Sequence, residues 1–179
     1  DLIDGGWDDI AVIDYIRSQN ITSVRGNHDS EAFAEETEPW SIEEDTDSDF
    51  DDSFSFYQAQ YLKSLPFSHH FSWEGLTVYL AHGSPWSDTY HVFPSASEAT
   101  CNKIFTKTKA DIVILGHTHI PMKIRFHDKW IFNPGALSGN RDNLQRTCGI
   151  LDIPQSKFEL FDIDTQQSVE LDTVIVAAT

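Results

Sequence analysis

Three short segments concentrate side chains that bind metals or move protons: VRGNHD at 24–29, LAHG at 80–83 and LGHTH at 115–119. Each sets a histidine beside or close to a glycine. Neutral imidazole nitrogens offered with amide and carboxylate oxygens, and without thiolates, suit borderline or harder divalent ions such as zinc, manganese or iron(II). His117 and His119 are two residues apart, so in an extended segment both rings reach the same side, and Gly116 removes a side chain that would crowd them. Two ions about 3.5–4 Å apart, each taking one ring, would clamp a phosphate and turn a bridging water into hydroxide near neutral pH. Singly, each segment reads as a turn or surface loop. Together and in this order, at the ends of apolar runs, they read as one site.

Those segments need elements to hold them. Asp8 can cap a helix whose Ile10, Ile13 and Ile16 fall near one face, ending around Gln19–Asn20. Ile21 to Val24 reads as a short strand delivering Gly26, Asn27, His28 and Asp29 to its carboxyl end. Phe54 to Leu65 reads as a helix stopped by Pro66, and FSHHFSW with LTVYLAHG as a hairpin around Glu74–Gly75. Ser95 and Glu98 form a capping box for a helix that turns Ile104 and Phe105 toward a core. The unbroken apolar run of DIVILG, 111–116, predicts a strand buried on both faces. KIRF and KWIFN flank a His127–Asp128 turn, GILDI and KFELFDID flank Pro154-Gln155-Ser156, and VELDTVIVA adds an edge strand. Ligands collect outside the carboxyl ends of strands in α/β sheets, so three such ends can converge.

Composition narrows the chemistry. The 179 residues suffice for one compact domain with its own core, and no stretch approaches the ~18 unbroken apolar residues of a membrane span. A net charge of −17 repels phosphate backbones, which argues against long nucleic acid as a partner. Cys101 and Cys148 have no disulfide-rich context, so free thiols in a reducing, cytoplasmic setting are expected. From Glu31 to Asp52 there are eleven acidic residues and no basic one, which predicts a solvated, mobile insertion.

The ordered blocks GNHD at 26–29, HG at 82–83 and GHTH at 116–119 resemble those of the calcineurin-like metallophosphoesterase superfamily, in its small bacterial and archaeal-type phosphodiesterase branch. YLKSLP, HGSP at 82–85 and NPGALSGNRD at 133–142 extend the resemblance over nearly the whole chain. The departure is at the start. DLIDGG looks like the continuation of a Gly-Asp block without its Gly, and the Asp-x-His block is absent, so an N-terminally incomplete domain is expected. The resemblance implies an α/β, two-sheet αββα sandwich lacking its first strand and helix.

It further implies two divalent ions in the complete protein (manganese above iron, zinc or nickel), of which this chain has the full ligand set for only one. Asp1, Asn27, His82 and His117 would surround one ion, and His119 would serve the other. His28 would assist departure of the leaving group. Arg25, Asn133 and Arg141 are possible phosphate neighbours, although a structural or surface role is favoured for each. His69, His70, His91 and His127 read as surface or structural histidines, Trp73 and Trp130 as hairpin core, and Trp86 as a packing residue near the site mouth. The expected function is hydrolysis of a small phosphoester, most simply a phosphodiester, by a metal-bridging hydroxide. The rival expectations are a non-catalytic interaction module on the same fold and an inactive fragment.

Overall fold

A computed structural model describes residues 1–3, 8–32, 56–139 and 145–177. The expected acidic insertion, from residue 33 onward, lies outside the described residues, as do the Gly5-Gly6 turn and Arg141. The chain divides into two compact units, Asp1–Pro66 and Phe67–Thr179.

Among the described residues of the first unit are the helices α1 (Asp9–Ser18), α2 (Asn27–Glu31) and α3 (Phe56–Ser64). Ile3, Ile13, Leu62 and Leu65 form its small core, with Leu2 and Tyr61 packed against it. Of the three isoleucines expected to share a face of α1, only Ile13 is fully buried, and Asp8 precedes the helix without making a side-chain cap. The strand expected at Ile21–Val24 does not form. Among the described residues these have no ladder partner; the Ile21 N–H instead closes α1 on the Ile16 carbonyl, and the Arg25 N–H bonds the Pro66 carbonyl. A strand exists only as part of a ladder, so an apolar, β-branched stretch without one stays extended and unpaired.

The second unit is an α/β sandwich of two sheets. Its strands are β1 (Ser68–Trp73), β2 (Leu76–Ala81), β3 (Ile112–Ile114), β4 (Met122–Phe126), β5 (Lys129–Asn133), β6 (Thr147–Asp152), β7 (Lys157–Asp162), β8 (Ser168–Val169) and β9 (Val174–Val176). The helix α4 (Glu98–Thr108) lies between β2 and β3 in sequence. The larger, mixed sheet runs β1-β2-β3-β5-β4-β9 and the smaller, antiparallel sheet β6-β7-β8. All three predicted hairpins are present. In the first, Glu74 and Gly75 both take positive φ, 48° and 81°, the tight turn whose twist matches the flanking strands. The predicted edge strand at the end splits: β8 joins the small sheet and β9 runs parallel to β4.

Period-two alternation sorts the core into two layers. Tyr79, Val113, Met122, Ile124 and Ile131 point to the helix side, where Cys101, Ile104 and Phe105 of α4 meet them. Val78, Ile112 and Phe132 point the other way, onto Phe158 and Leu160 of the small sheet. Phe132 and Phe158 stack at 4.6 Å between centroids, and a Cβ at Gly149 would come within 2.5 Å of the Phe158 ring, so glycine on β6 leaves room for that ring beside it on the small sheet. Each such side chain fully buried stabilises the fold by roughly 1.5–3 kcal/mol. The N-cap of α4 is Ser97, whose hydroxyl accepts from the Thr100 N–H; Ser95, the expected cap, lies two residues too early.

Candidate functional site

β2 and β3 are adjacent and parallel, so their carboxyl ends emerge side by side. The pairing continues past both strands, because the Gly116 N–H donates to the His82 carbonyl at 2.7 Å. His82 and His117 thereby share one edge. His82 Nε2 stands 3.1 Å from His117 Nδ1, with ring centroids 5.0 Å apart and planes at 67°. Two metal–nitrogen bonds of ~2.0–2.1 Å at angles between square and tetrahedral need nitrogens about 2.9–3.4 Å apart, so this donor pair fits a single divalent ion. The crowding expected at Gly116 is not found, since a Cβ there would meet His82 at an ordinary 3.6 Å.

The backbone at HTH is unusual. His117 and His119 both adopt positive φ, 65° and 58°, which side chains other than glycine rarely do. The Thr118 N–H returns to the Gly116 carbonyl at 2.7 Å, making His117 the centre of a positive-φ γ-turn, a strained form. Asn133, at the end of β5 and fully buried, holds this turn in place. Its Nδ2 donates to the Gly116 carbonyl at 2.9 Å and to Thr118 Oγ1 at 3.1 Å, while its Oδ1 accepts from the Gly135 N–H at 2.8 Å. Of the two roles considered for Asn133, the structural one is observed.

In the first unit, GNHD does not end a strand but opens α2, with Gly26 at its N-cap. Asp29, without exposed surface, accepts from the backbone N–H groups of Leu2 (2.8 Å), Ile3 (3.2 Å) and Gly26 (2.8 Å). That carboxylate pins residues 2–3 to the start of α2, and Asp1 Oδ1 in turn accepts from the His28 N–H at 3.1 Å. A Cβ on Gly26 would fall 1.8 Å from Asp1 Oδ1, so only glycine permits this approach. Asp1, Asn27 and His28 are therefore grouped by a buried aspartate that sequence reasoning treated merely as a member of the GNHD block. His28 Nδ1 lies 3.9 Å from Glu31 Oε2 and its side chain is one-third exposed. Arg25 spends its guanidinium on the Lys63 carbonyl near the end of α3. His119 belongs to no cluster of three or more candidate ligands among the described residues.

The remaining histidines divide. His69 stacks on Phe71, His70 sits edge-on to Tyr79 and His127 on Phe126, the structural roles expected of them. His91 is exposed, the surface position expected of it, and its ring also lies 4.2 Å from that of His117. Trp86 packs on the helix-side core as expected, whereas Trp73, predicted to be core, is 53% exposed. Among the described residues no helix is long and apolar enough to cross a membrane.

A family model described as the calcineurin-like phosphoesterase superfamily domain matches residues 4–156. Among solved structures, a hypothetical protein from Pyrococcus horikoshii OT3 aligns over 85% of this chain and 68% of its own, with 15% identity and a TM-score of 0.65. A metallophosphoesterase from Sphaerobacter thermophilus aligns over 92% and 72%, with 21% identity and a TM-score of 0.59. Wild-type Vps29 from Entamoeba histolytica, complexed with Zn2+, aligns over 55% and 54%, with 21% identity and a TM-score of 0.42. No curated protein sequence matches.

Proposed function

Because the chain belongs to the calcineurin-like phosphoesterase superfamily, we propose that it is a metal-dependent hydrolase of small phosphoesters, phosphodiesters first among them. The observation that carries this reading is the His82–His117 nitrogen pair, 3.1 Å apart at the ends of two parallel strands. In this reading, which follows the GNHD, HG and GHTH blocks, Asp1 and Asn27 join His82 and His117 around one divalent ion, with manganese favoured, and His119 contributes to a second. A divalent ion so held supplies Lewis acidity to a phosphoryl oxygen and makes water a nucleophile near neutral pH. His82 and His117 bind as neutral imidazoles, and the Asn133 network keeps the His117 ring from turning away. His28 gives a proton to the departing alcohol oxygen, a task worth ~10²–10⁴-fold in rate. The charge of −17 favours small substrates over polymers.

The test is hydrolysis of bis(p-nitrophenyl) phosphate with added manganese. The expected result is turnover that falls about 10²-fold or more in His28→Ala while manganese affinity stays within a few-fold. Turnover no higher than in the folded His28→Ala protein would remove the reading. A second reading, an interaction module on the same fold, is favoured by one observation: among the described residues a single cluster of three or more candidate ligands is found, and His82 and His117 belong to it. Manganese or zinc bound at one equivalent per chain, insensitive to His119→Ala and accompanied by no turnover, would select it.

A further inference from the structure

Residues 82–93 leave β2 as a tightly turned segment. A Cβ at Gly83 would meet the Asp88 carbonyl at 2.3 Å, so glycine is needed to close the turn. Ser84 Oγ donates to the Ser87 carbonyl at 3.0 Å and accepts from the Trp86 and Ser87 N–H groups at 3.3 and 3.1 Å. Trp86 rests on the helix-side core, edge-on to Tyr90 at 5.1 Å and under the Lys103 ammonium at 3.8 Å. The segment then alternates. Val92 turns inward at 3% exposure, while His91 and Phe93 turn outward, Phe93 remaining 44% exposed. The two outward rings lie 5.5 Å apart at 9° from parallel, and His91 touches the His117 ring at 4.2 Å between centroids.

We infer that His91 and Phe93 form a stacking platform for the base of a small nucleotide phosphodiester, one ring removed from His117. The inference rests on the hydrolase reading for the role of His117. The two parallel rings are stacked on one another, so Phe93, 44% exposed, ends a short π stack with its outer face, and bases of any identity stack on such faces. The buried Val92 between the two rings anchors the segment to the helix-side core before anything binds, so little ordering remains to be done on binding. Long nucleic acid does not fit a chain of net charge −17, which leaves a mononucleotide or dinucleotide as the base-bearing ligand.

Two measurements test this. In the first, the manganese-supplemented protein is offered two diesters with the same leaving group, the p-nitrophenyl esters of thymidine 5′-phosphate and of methyl phosphate. The preference for the nucleoside ester, as a ratio of kcat/KM values, should fall about five- to tenfold in Phe93→Ala, the low end of what one stacked base contributes, and be kept in Phe93→Trp. An unchanged ratio in Phe93→Ala would overturn the inference. The second does not depend on turnover: equilibrium dialysis of adenosine 5′-monophosphate against ribose 5-phosphate. Tighter binding of the base-bearing probe, lost in Phe93→Ala and restored by Phe93→Trp, supports the platform; equal binding of the two probes by the wild-type protein sinks it. Base-dependent binding with no hydrolysis of either diester would refute the hydrolase reading and leave the platform standing.

Discussion

Replacing Asn133 by alanine tests the claim that a buried amide, which contacts no ligand, sets the geometry of the histidine pair. The substitution deletes hydrogen bonds to the Gly116 carbonyl, Thr118 Oγ1 and the Gly135 N–H. The Gly116 carbonyl keeps the Thr118 N–H and Thr118 Oγ1 keeps the Ile120 N–H, so those two losses cost only ordinary net hydrogen-bond energy, about 0.5–1.5 kcal/mol each. The Gly135 N–H loses the acceptor identified for it, and stranding a donor in a half-buried position costs a further ~1–3 kcal/mol. The sum is roughly 2–6 kcal/mol, which for a chain of this size lowers Tm by about 4–24 °C. With its brace gone, the turn at His117 is free to relax from positive φ, and manganese affinity should fall about 10- to 100-fold, as it does when residues supporting a ligand are removed. Calorimetric melting and manganese titration of the same Asn133→Ala preparation read both effects. A variant that melts low yet binds manganese as the wild type does would show that Asn133 serves the fold alone, and the argument for the turn would fail.

Three further outcomes follow from local geometry. Ser97→Ala should cost about 1 kcal/mol in urea unfolding, whereas Ser95→Ala should stay within about 0.5 kcal/mol; the reverse order would put the cap of α4 in the wrong place. Gly26→Ala forces Asp1 from its position and should weaken manganese binding about tenfold or more, and an unaltered titration would remove Asp1 from the ligand set. Burial raises the Cys101 thiol above its ordinary range while Cys148 is exposed, so near pH 8 Cys101 holds even less of the reactive thiolate. The folded chain should therefore consume one equivalent of Ellman's reagent quickly and the second only in denaturant. Two equally fast thiols would contradict the burial.

The hairpins were legible because alternation and turn residues are local signals: FSHHFSW, the Glu74–Gly75 turn and LTVYLA specify register by themselves. The His82–His117 pair was legible for a different reason, since histidine beside glycine at the end of an apolar run survives ignorance of which strands are neighbours. Ile21–Val24 misled because β propensity describes a fit to a sheet and says nothing about whether a partner strand is there. The bracing roles of Asn133 and Asp29 were not legible because the groups they hold, the Gly116 carbonyl and Thr118 hydroxyl 15–17 residues away and the Leu2 and Ile3 N–H groups 26–27 residues away, leave no periodic pattern in the sequence. His91 was dismissed on the same footing, as its neighbour His117 comes from a different strand end. The outward–inward–outward rhythm of His91-Val92-Phe93 was present in the sequence, but three residues are too few to separate from chance.

The left-handed backbone at 117 and 119 imposes a filter on what evolution can write there. Positions with φ near +60° admit glycine freely and asparagine, aspartate and histidine at some cost, while bulky or β-branched residues are penalised. Metal binding at the same positions asks for a nitrogen or oxygen donor. The overlap is a very short alphabet of histidine, aspartate and asparagine, so the GHTH spelling is narrowed twice, once by coordination chemistry and once by the handedness of the chain.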